Sequence, residues 1–170
     1  MRHVQSFAPI ETADARILIL GSMPGEASLR ANQYYAHPRN LFWRIMGELL
    51  GFDPASPYSQ KVQALKSARI ALWDVLRSCR REGSLDSGID DASLAPNDLA
   101  AFFLDHPGIT RVFFNGAKAE ECYRKHVRPG TGMETIEYLR LPSTSPANAS
   151  VSYGRKLEAW RVITKIIWPH

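Results

Sequence analysis

Short apolar runs alternate with amphipathic segments along most of this chain. Four segments have the apolar or alternating pattern of strands, and they are 16–20, 69–73, 111–114 and 134–141. Five segments have apolar residues at helical spacing, and they are 38–50, 59–67, 96–104, 117–126 and 154–168. Because strands alternate with helices, the pattern predicts an α/β fold, a three-layer α/β/α sandwich around a short four-stranded parallel sheet.

The segment 38–50 has the clearest helical pattern. Pro38 suits the first turn of a helix, His37 is the expected cap, and Gly51 ends the pattern. This start places Asn40 in the first turn. An Asn near a helix start often satisfies backbone N–H groups, but here the cap is already assigned, so its amide is expected to be free for a ligand.

Ligands of parallel sheets bind at the carboxyl ends of the strands. Three loops meet that description, and they begin at Gly21, at Asp74 and at Leu141. The stretch from Asp74 to Gly88 is polar and without period, which predicts a long functional loop. Tyr34 and Tyr35 follow the first of these loops. They are either core or rim residues, or a flat surface for a planar ligand.

The composition indicates an ordinary soluble protein. The chain has 170 residues, 45% hydrophobic and 22% charged, which predicts a single domain over residues 1–170. It has neither an apolar run of membrane-spanning length nor the apolar core of a signal peptide near Met1, so a cytoplasmic location and no membrane partner are expected. A net charge of +4 suits a polyanion partner without requiring one.

Several classes of site lack support in the sequence. Cys79 and Cys122 are far apart, the five histidines are scattered, and no metal, iron–sulfur cluster or other cofactor is expected. Gly21–Gly25 has neither P-loop nor dinucleotide-binding spacing, and no Gly-x-Ser-x-Gly elbow occurs. Arg77, Arg80 and Arg81 form either a basic patch or a solvated face.

Together, these motifs resemble the uracil-DNA glycosylase superfamily. The first is Gly21-Ser22-Met23-Pro24-Gly25, followed by Tyr35-Ala36-His37-Pro38 and Asn40-Leu41-Phe42-Trp43; the second superfamily motif is Leu141-Pro142-Ser143-Thr144-Ser145-Pro146. Met23 replaces the Asn of mismatch-specific uracil enzymes, and Leu141 replaces the His of the main uracil enzymes. The overall pattern is similar to the hypoxanthine-DNA glycosylase (DNA-deoxyinosine glycosylase) branch, whose catalytic Asn corresponds to Asn40.

The resemblance implies a uracil-DNA glycosylase-like fold and a monomeric base-excision repair enzyme that acts on double-stranded DNA, at the nucleoid when engaged there. It would flip out a deaminated base, above all hypoxanthine, and remove it by hydrolysis. With no lysine nucleophile in a motif, a monofunctional enzyme is expected, and Lys118 is the one lysine that challenges this. Two alternatives remain, a mismatch-specific uracil or thymine glycosylase of the same fold and a non-catalytic damage-binding module.

The resemblance also implies residue roles. Asn40 would orient the attacking water. The predicted base-binding residues are Gly21, Ser22, Met23, Pro24, Gly25, Tyr35, Asp74 and Asn115, with Tyr35 as the stacking surface. Asp74 is equally well explained as a loop-capping carboxylate. The predicted DNA-binding residues are Arg77, Arg80 and the loop of Pro142, Ser143, Thr144, Ser145, Pro146, Ala147 and Asn148. This loop is either a wedge that pushes on the base stack or a simple connection.

Overall fold

A computed structural model describes residues 1–169, and that part of the chain contains seven strands and seven α-helices. The strands are β1 (Arg2–Gln5), β2 (Ile17–Gly21), β3 (Ile70–Asp74), β4 (Leu76–Arg81), β5 (Ile89–Pro96), β6 (Arg111–Asn115) and β7 (Glu137–Leu141). The helices are α1 (Glu26–Ala31), α2 (Phe42–Leu50), α3 (Tyr58–Ser67), α4 (Leu99–Asp105), α5 (Ala117–His126), α6 (Tyr153–Trp160) and α7 (Val162–Ile167). None of these helices is long and apolar enough to cross a membrane.

The four predicted strands form one parallel sheet in the order β3-β2-β6-β7. Strand β2 is buried along its whole length because both faces of the sheet are covered. Leu18 and Leu20 pack in the cluster that contains α4 and α5. Ile17 and Ile19 point the other way, into the cluster that contains α2, α3, α6 and α7. The predicted three-layer α/β/α sandwich is therefore confirmed.

Helix α2 begins later than its sequence pattern suggested. It starts at Phe42 with Leu41 as its N-cap, and it ends at Gly51 in the left-handed conformation. The prediction of a start at Pro38 with His37 as the cap is wrong. His37 Nδ1 instead accepts a hydrogen bond from the backbone N–H of Arg39, within the turn that precedes the helix.

A second sheet was missed at the sequence level. Strands β1, β4 and β5 form an antiparallel sheet in the order β1-β4-β5, so the prediction of a continuous loop from Asp74 to Gly88 is wrong. The pairing of β4 with β5 contains two register shifts, between Leu76, Ser78 and Arg80. Such bulges break the two-residue alternation that identifies a strand, which explains why this stretch lacked a period.

Two predicted helices differ at their ends. Pro96 belongs to β5, and α4 starts only after Asp98, whose carboxylate accepts a hydrogen bond from the N–H of Ala101. The segment predicted as one last helix is divided at Arg161 into α6 and α7. The predicted single domain includes His170, which lies outside the described residues, and it stays a prediction.

Candidate active site

The carboxyl ends of β2 and β6 lie side by side in the parallel sheet. The chain passes from β2 to β3 on one side of β2 and then crosses back to β6 on the other side, so the strand order reverses between β2 and β6. Such a switch point opens a crevice between the strand ends, where α/β sheets bind ligands. Gly21 is paired with Asp74, and Asn115 extends the neighbouring strand. Three predicted base-binding residues thus lie together at the carboxyl end of the parallel sheet.

Gly21 is a glycine because two polar groups approach its backbone closely. A Cβ atom at this position would stand 2.5 Å from Asp74 Oδ1 and 2.8 Å from the Tyr35 hydroxyl. Both distances are shorter than real Cβ contacts, so even alanine would displace one of these groups. The absence of a side chain at Gly21 therefore brings a carboxyl group and a phenol together at the base of the crevice.

These two groups are buried without partners. Among the described residues, neither Asp74 Oδ2 nor the Tyr35 hydroxyl has a hydrogen-bond partner. Burial, together with the nearby Asp86 carboxylate, raises the pKa of Asp74 to about 7, although Arg81 opposes the rise. Burial and the neighbouring Asp74 also raise the pKa of the Tyr35 phenol, although the nearby Asn115 side chain opposes the rise. Since an unpaired buried polar group is costly, these atoms have the character of a ligand site.

The paired tyrosines have different surroundings. Tyr34 is a core residue whose hydroxyl donates to the Ala8 carbonyl at 2.8 Å. Tyr35 has a φ of +55°, a left-handed conformation that non-glycine residues rarely adopt and that often marks functional sites. This turn directs the Tyr35 side chain toward Gly21 while its ring packs against Phe42, with centroids 4.3 Å apart. Of the two, only Tyr35 is thus in place to contact a ligand.

The glycine loop 21–25 is hydrogen-bonded to the hairpin between β4 and β5. The Ser22 hydroxyl donates to Asp86 Oδ1 at 2.6 Å, and Arg81 Nη2 donates to the Pro24 carbonyl at 2.6 Å. Arg81 is only 1% exposed, so it is a buried anchor of this loop and not a member of the predicted basic patch. Burial raises the pKa of Asp86, while its bond to Ser22 opposes the rise.

Asn40 is half-buried and lies just before α2. Its side-chain oxygen accepts a hydrogen bond from the N–H of Phe42 at 3.0 Å. The prediction of a wholly free amide is therefore wrong, since the oxygen serves the helix start as well. A carbonyl oxygen has two lone pairs, so an amide held this way can still accept a hydrogen bond from a water molecule in a fixed direction.

The loop 142–148 is tied to the end of β6. Asn115 donates from Nδ2 to the Thr144 hydroxyl at 3.0 Å and accepts from the Thr144 N–H at 3.0 Å. The N–H of Leu41 donates to the Thr144 carbonyl at 3.0 Å, so this link places Asn40 beside the crevice. Thr144 is completely buried and, contrary to the prediction, cannot contact DNA in this conformation.

Comparison with known proteins agrees with this architecture. Residues 9–164 match the model of the uracil DNA glycosylase superfamily. This chain belongs to the uracil DNA glycosylase superfamily. It is 40% identical over 153 residues to a hypoxanthine DNA glycosylase of Methanosarcina barkeri, covering 89% of this chain and 92% of the relative. A hypoxanthine DNA glycosylase of Methanosarcina acetivorans is 39% identical over 160 residues, 94% of this chain and 96% of the relative.

A solved structure extends the likeness to three dimensions. The solution NMR structure of a protein from Methanosarcina acetivorans, provisionally described as a uracil DNA glycosylase, superposes with a TM-score of 0.82 at 37% identity. The match covers 99% of this chain and all of that one. The uracil-DNA glycosylase-like fold implied by the motifs is confirmed.

The remaining predicted residues lie on β4, in the glycine loop and in the loop 142–148. Arg77 and Arg80 are exposed on β4. Met23 points into the core, so only its backbone can face a ligand. Trp160 donates from Nε1 to the Pro142 carbonyl at 2.9 Å, which anchors the start of the loop 142–148. The base-binding, DNA-binding and catalytic roles of these residues stay predictions.

The sequence indicated neither the contact of Asp86 with the glycine loop nor the burial of Arg81. Both lie in the hairpin that was predicted as a loop. A strand interrupted by bulges gives no alternation, and an arginine gives no signal of burial, so only the tertiary contacts reveal them. Among residues 1–169, no group of three or more His, Cys, Asp or Glu side chains is placed to hold a metal ion.

Proposed function

We propose that this protein is a DNA glycosylase that removes hypoxanthine from double-stranded DNA by hydrolysis of the N-glycosidic bond. The observation that carries the proposal is the pair of buried polar groups without partners, Asp74 and Tyr35, beside Gly21 at the strand ends. Membership of the superfamily and relatives that are named hypoxanthine DNA glycosylases support the same conclusion.

Recognition requires the damaged nucleotide to leave the helix. A deaminated adenine pairs weakly, which lowers the free energy of extrusion. The six-membered ring of hypoxanthine has an N–H donor beside a carbonyl acceptor. A neutral carboxyl group has the complementary acceptor and donor, and the raised pKa of Asp74 keeps about half of the molecules in that form near pH 7. We assign Asp74 to this polar edge and Tyr35 to contact with the base.

The hydrolytic step is assigned to Asn40. Cleavage of an N-glycosidic bond develops oxocarbenium-like charge on the sugar, and a water molecule must attack its anomeric carbon. The Asn40 oxygen is oriented by the Phe42 N–H and can accept a hydrogen bond from that water. The amide acts by positioning, so no shifted pKa is needed at this residue.

The mechanism is monofunctional in this proposal. Lys118 is the lysine nearest to the site in sequence, but its ammonium group lies 2.9 Å from Asp91 Oδ1. Burial lowers its pKa, but the hydrogen bond to Asp91 and the nearby carboxylates outweigh burial and leave the pKa raised. A protonated amine is not a nucleophile, so Lys118 is unsuited to form a Schiff base.

The protein would act as a monomer and without a metal ion, because one extruded base fits one crevice and the proposed chemistry is carried by Asn40, Asp74 and Tyr35. Its location is then that of the DNA, in the cytoplasm at the nucleoid. Exposed Arg77 and Arg80 are proposed to contact phosphates. Borohydride trapping tests the monofunctional mechanism, since a covalent protein–DNA adduct would contradict it.

The decisive experiment measures base release from duplexes that carry hypoxanthine, uracil, xanthine or mismatched thymine. We expect the wild type to release hypoxanthine fastest and Asn40→Ala to lose activity by about 100-fold or more, the range typical for removing a group that acts on the reacting water. Asn32→Gly is a matched control, because Asn32 is exposed and its left-handed conformation suits glycine.

Other outcomes distinguish the alternatives. Comparable release of uracil would indicate the mismatch-specific uracil activity. Tight binding of the lesion without release of any base, unchanged by Asn40→Ala, would indicate a damage-binding module. Full activity of Asn40→Ala on every substrate would refute the catalytic assignment.

A further inference from the structure

Lys156 is a buried lysine that the proposed reaction does not use. Only 2% of its surface is exposed, and it lies on α6. Within residues 1–169 its ammonium group makes neither a hydrogen bond nor an ion pair. Burial lowers the pKa of Lys156, and no neighbouring charge contributes to the shift. This lysine is therefore a buried cation without a partner in the described part of the chain.

Such a charge is unfavourable in a folded protein. Lysines are almost never fully buried unless a carboxylate pairs with them, and an unpaired buried charge destabilises the fold. Lys118 shows the ordinary arrangement, because its ammonium group lies 2.9 Å from Asp91 Oδ1. A methionine would fill the space of Lys156 without this cost. The charge at Lys156 is explained if an anion from outside the chain pairs with it.

Lys156 borders the crevice on the side of Asn40. It precedes Trp160 by one turn of α6 and shares its buried face. Trp160 packs against Phe42, with ring centroids 5.9 Å apart, and donates to the first carbonyl of the loop 142–148. Asn40 lies at the same helix start, because its side chain accepts from the Phe42 N–H. The buried face of α6 thus meets both the start of α2 and the loop.

A second cation lies at the same end of α6. The Arg44 guanidinium carbon is 3.8 Å from the centroid of the Tyr153 ring, so the two groups stack. Arg44 is exposed, and none of the ion pairs among residues 1–169 includes it. Long side chains on a helix lean toward its amino end, which brings Lys156 toward Tyr153 and Arg44. The helix begins after Ser152, so the positive end of its dipole faces the same place.

The position of these two cations indicates which anion they bind. A duplex whose base occupies the crevice has its backbone beside the start of α2, and each nucleotide of that backbone carries one negative charge. Phosphate oxygens accept hydrogen bonds from ammonium and guanidinium groups alike, and these charged bonds are about twice as strong as neutral ones. Stacking of Arg44 on Tyr153 orients the guanidinium before DNA binds, which lowers the entropic cost of the contact.

We propose that Lys156 and Arg44 bind one backbone phosphate of the damaged strand, next to the nucleotide whose base occupies the crevice. The proposal rests on the proposed function, because it needs DNA as the substrate. It assigns to the junction of α2 and α6 a contact that is separate from Arg77 and Arg80 on β4. The phosphate charge favours the protonated amine and so opposes the effect of burial on Lys156.

The test measures binding to a duplex with a tetrahydrofuran abasic site by fluorescence anisotropy at several salt concentrations. Lys156→Met should weaken binding by about tenfold or more, the loss expected for one charge-assisted hydrogen bond. It should also reduce the slope of log affinity against log salt by about 0.9, the value for one phosphate. The control Lys165→Met should stay close to the wild type, because Lys165 is exposed beside Ile166, which lies near the amino end of β2.

Two further measurements separate this contact from a structural role. Lys156→Met should raise the urea midpoint of the free protein, since it removes an unpaired buried charge, whereas loss of a structural lysine would lower the midpoint. Single neutral methylphosphonates near the lesion locate the phosphate. At one position the wild type should lose affinity, while Lys156→Met and Arg44→Met should lose much less, because the interaction is already absent.

Wild-type affinity of Lys156→Met would overturn the proposal, as would losses that add to those of the methylphosphonate at every position. A borohydride-trapped adduct through Lys156 would also overturn it, because the amine would then be a nucleophile. Base release is measured separately, so a protein that binds the duplex without releasing hypoxanthine fails the proposed function alone.

If the wild type binds no duplex, the anion site is judged with inorganic phosphate. Phosphate should raise the urea midpoint of the wild type more than chloride does at equal ionic strength, and Lys156→Met should lose this difference. Equal responses of the two proteins would refute the site.

Discussion

Replacing Asp74 with Asn tests whether the buried carboxyl group is neutral in the folded protein. The pKa of Asp74 is about 7 in the fold, against an ordinary value of 3.8. Between these values the folded state retains a proton that the unfolded chain has lost. The contribution of Asp74 to stability is therefore greatest below about pH 4, declines as pH rises, and reaches its minimum above about pH 7.

The magnitude follows from the shift. One pKa unit corresponds to 1.36 kcal/mol, so an ionised Asp74 destabilises the fold by about 4 kcal/mol relative to a neutral one. Asn is isosteric and stays neutral. The advantage of Asp74→Asn over the wild type in free energy of unfolding should increase by about 3 kcal/mol from pH 5 to pH 8. Urea denaturation at both pH values measures it.

The same variant also separates two catalytic roles. If Asp74 binds the base as a neutral acid, Asn supplies a donor and an acceptor in its place, and hypoxanthine release should persist. The wild-type rate should fall above about pH 7 as Asp74 ionises, whereas the rate of Asp74→Asn should not. Asp74→Leu, which has no donor, should be inactive at every pH.

Two results would refute this reasoning. A free-energy difference that does not change between pH 5 and pH 8 would mean that Asp74 ionises normally in the fold. Loss of activity in Asp74→Asn at every pH, with the fold intact, would mean that the reaction needs a carboxylate, as a general base does, and that the neutral donor is not the active form.

Two further predictions concern the walls of the crevice. Gly21→Ala should lower hypoxanthine release by about tenfold or more, because its Cβ displaces Asp74 or Tyr35 at a cost typical of overpacking. The control Gly154→Ala should retain activity in the same assay, since Gly154 has open space around it and an ordinary φ. Arg81→Met should lower the free energy of unfolding by about 2–3 kcal/mol, because the buried hydrogen bond to the Pro24 carbonyl is lost. The control Arg80→Met, at an exposed position, should change the free energy of unfolding measured in urea by less than about 0.5 kcal/mol. Equal effects of the two substitutions would contradict the anchor role of Arg81.

The pattern of apolar positions was sufficient for the central sheet, whereas the superfamily was indicated by the resemblance of the motifs that follow its strands. Strand β2 is apolar throughout because both of its faces are buried, and this run is visible without any structure. Gly21 and Asp74 follow directly on their strands, so the topology of a parallel sheet predicts that they share an edge. Local spacing therefore located the crevice and several residues around it.

Tertiary contacts decided how those residues are used. Burial and the carboxylate of Asp86 raise the pKa of Asp74. Asp86 comes close to Asp74 only because the hairpin between β4 and β5 folds back over the glycine loop. Arg81 is charged in the sequence yet buried, because carbonyl groups of the glycine loop and of its own turn accept its hydrogen bonds.

Thr144 and Asn40 illustrate the same limit. Thr144 lies in an apparently exposed loop but is completely buried by its bonds to Asn115, 29 residues away. Asn40 precedes a helix whose start depends on packing and capping, which a local pattern locates only to within a few residues. Burial and hydrogen bonding join residues far apart in the chain, so the protonation state and orientation of the site groups depend on the complete fold.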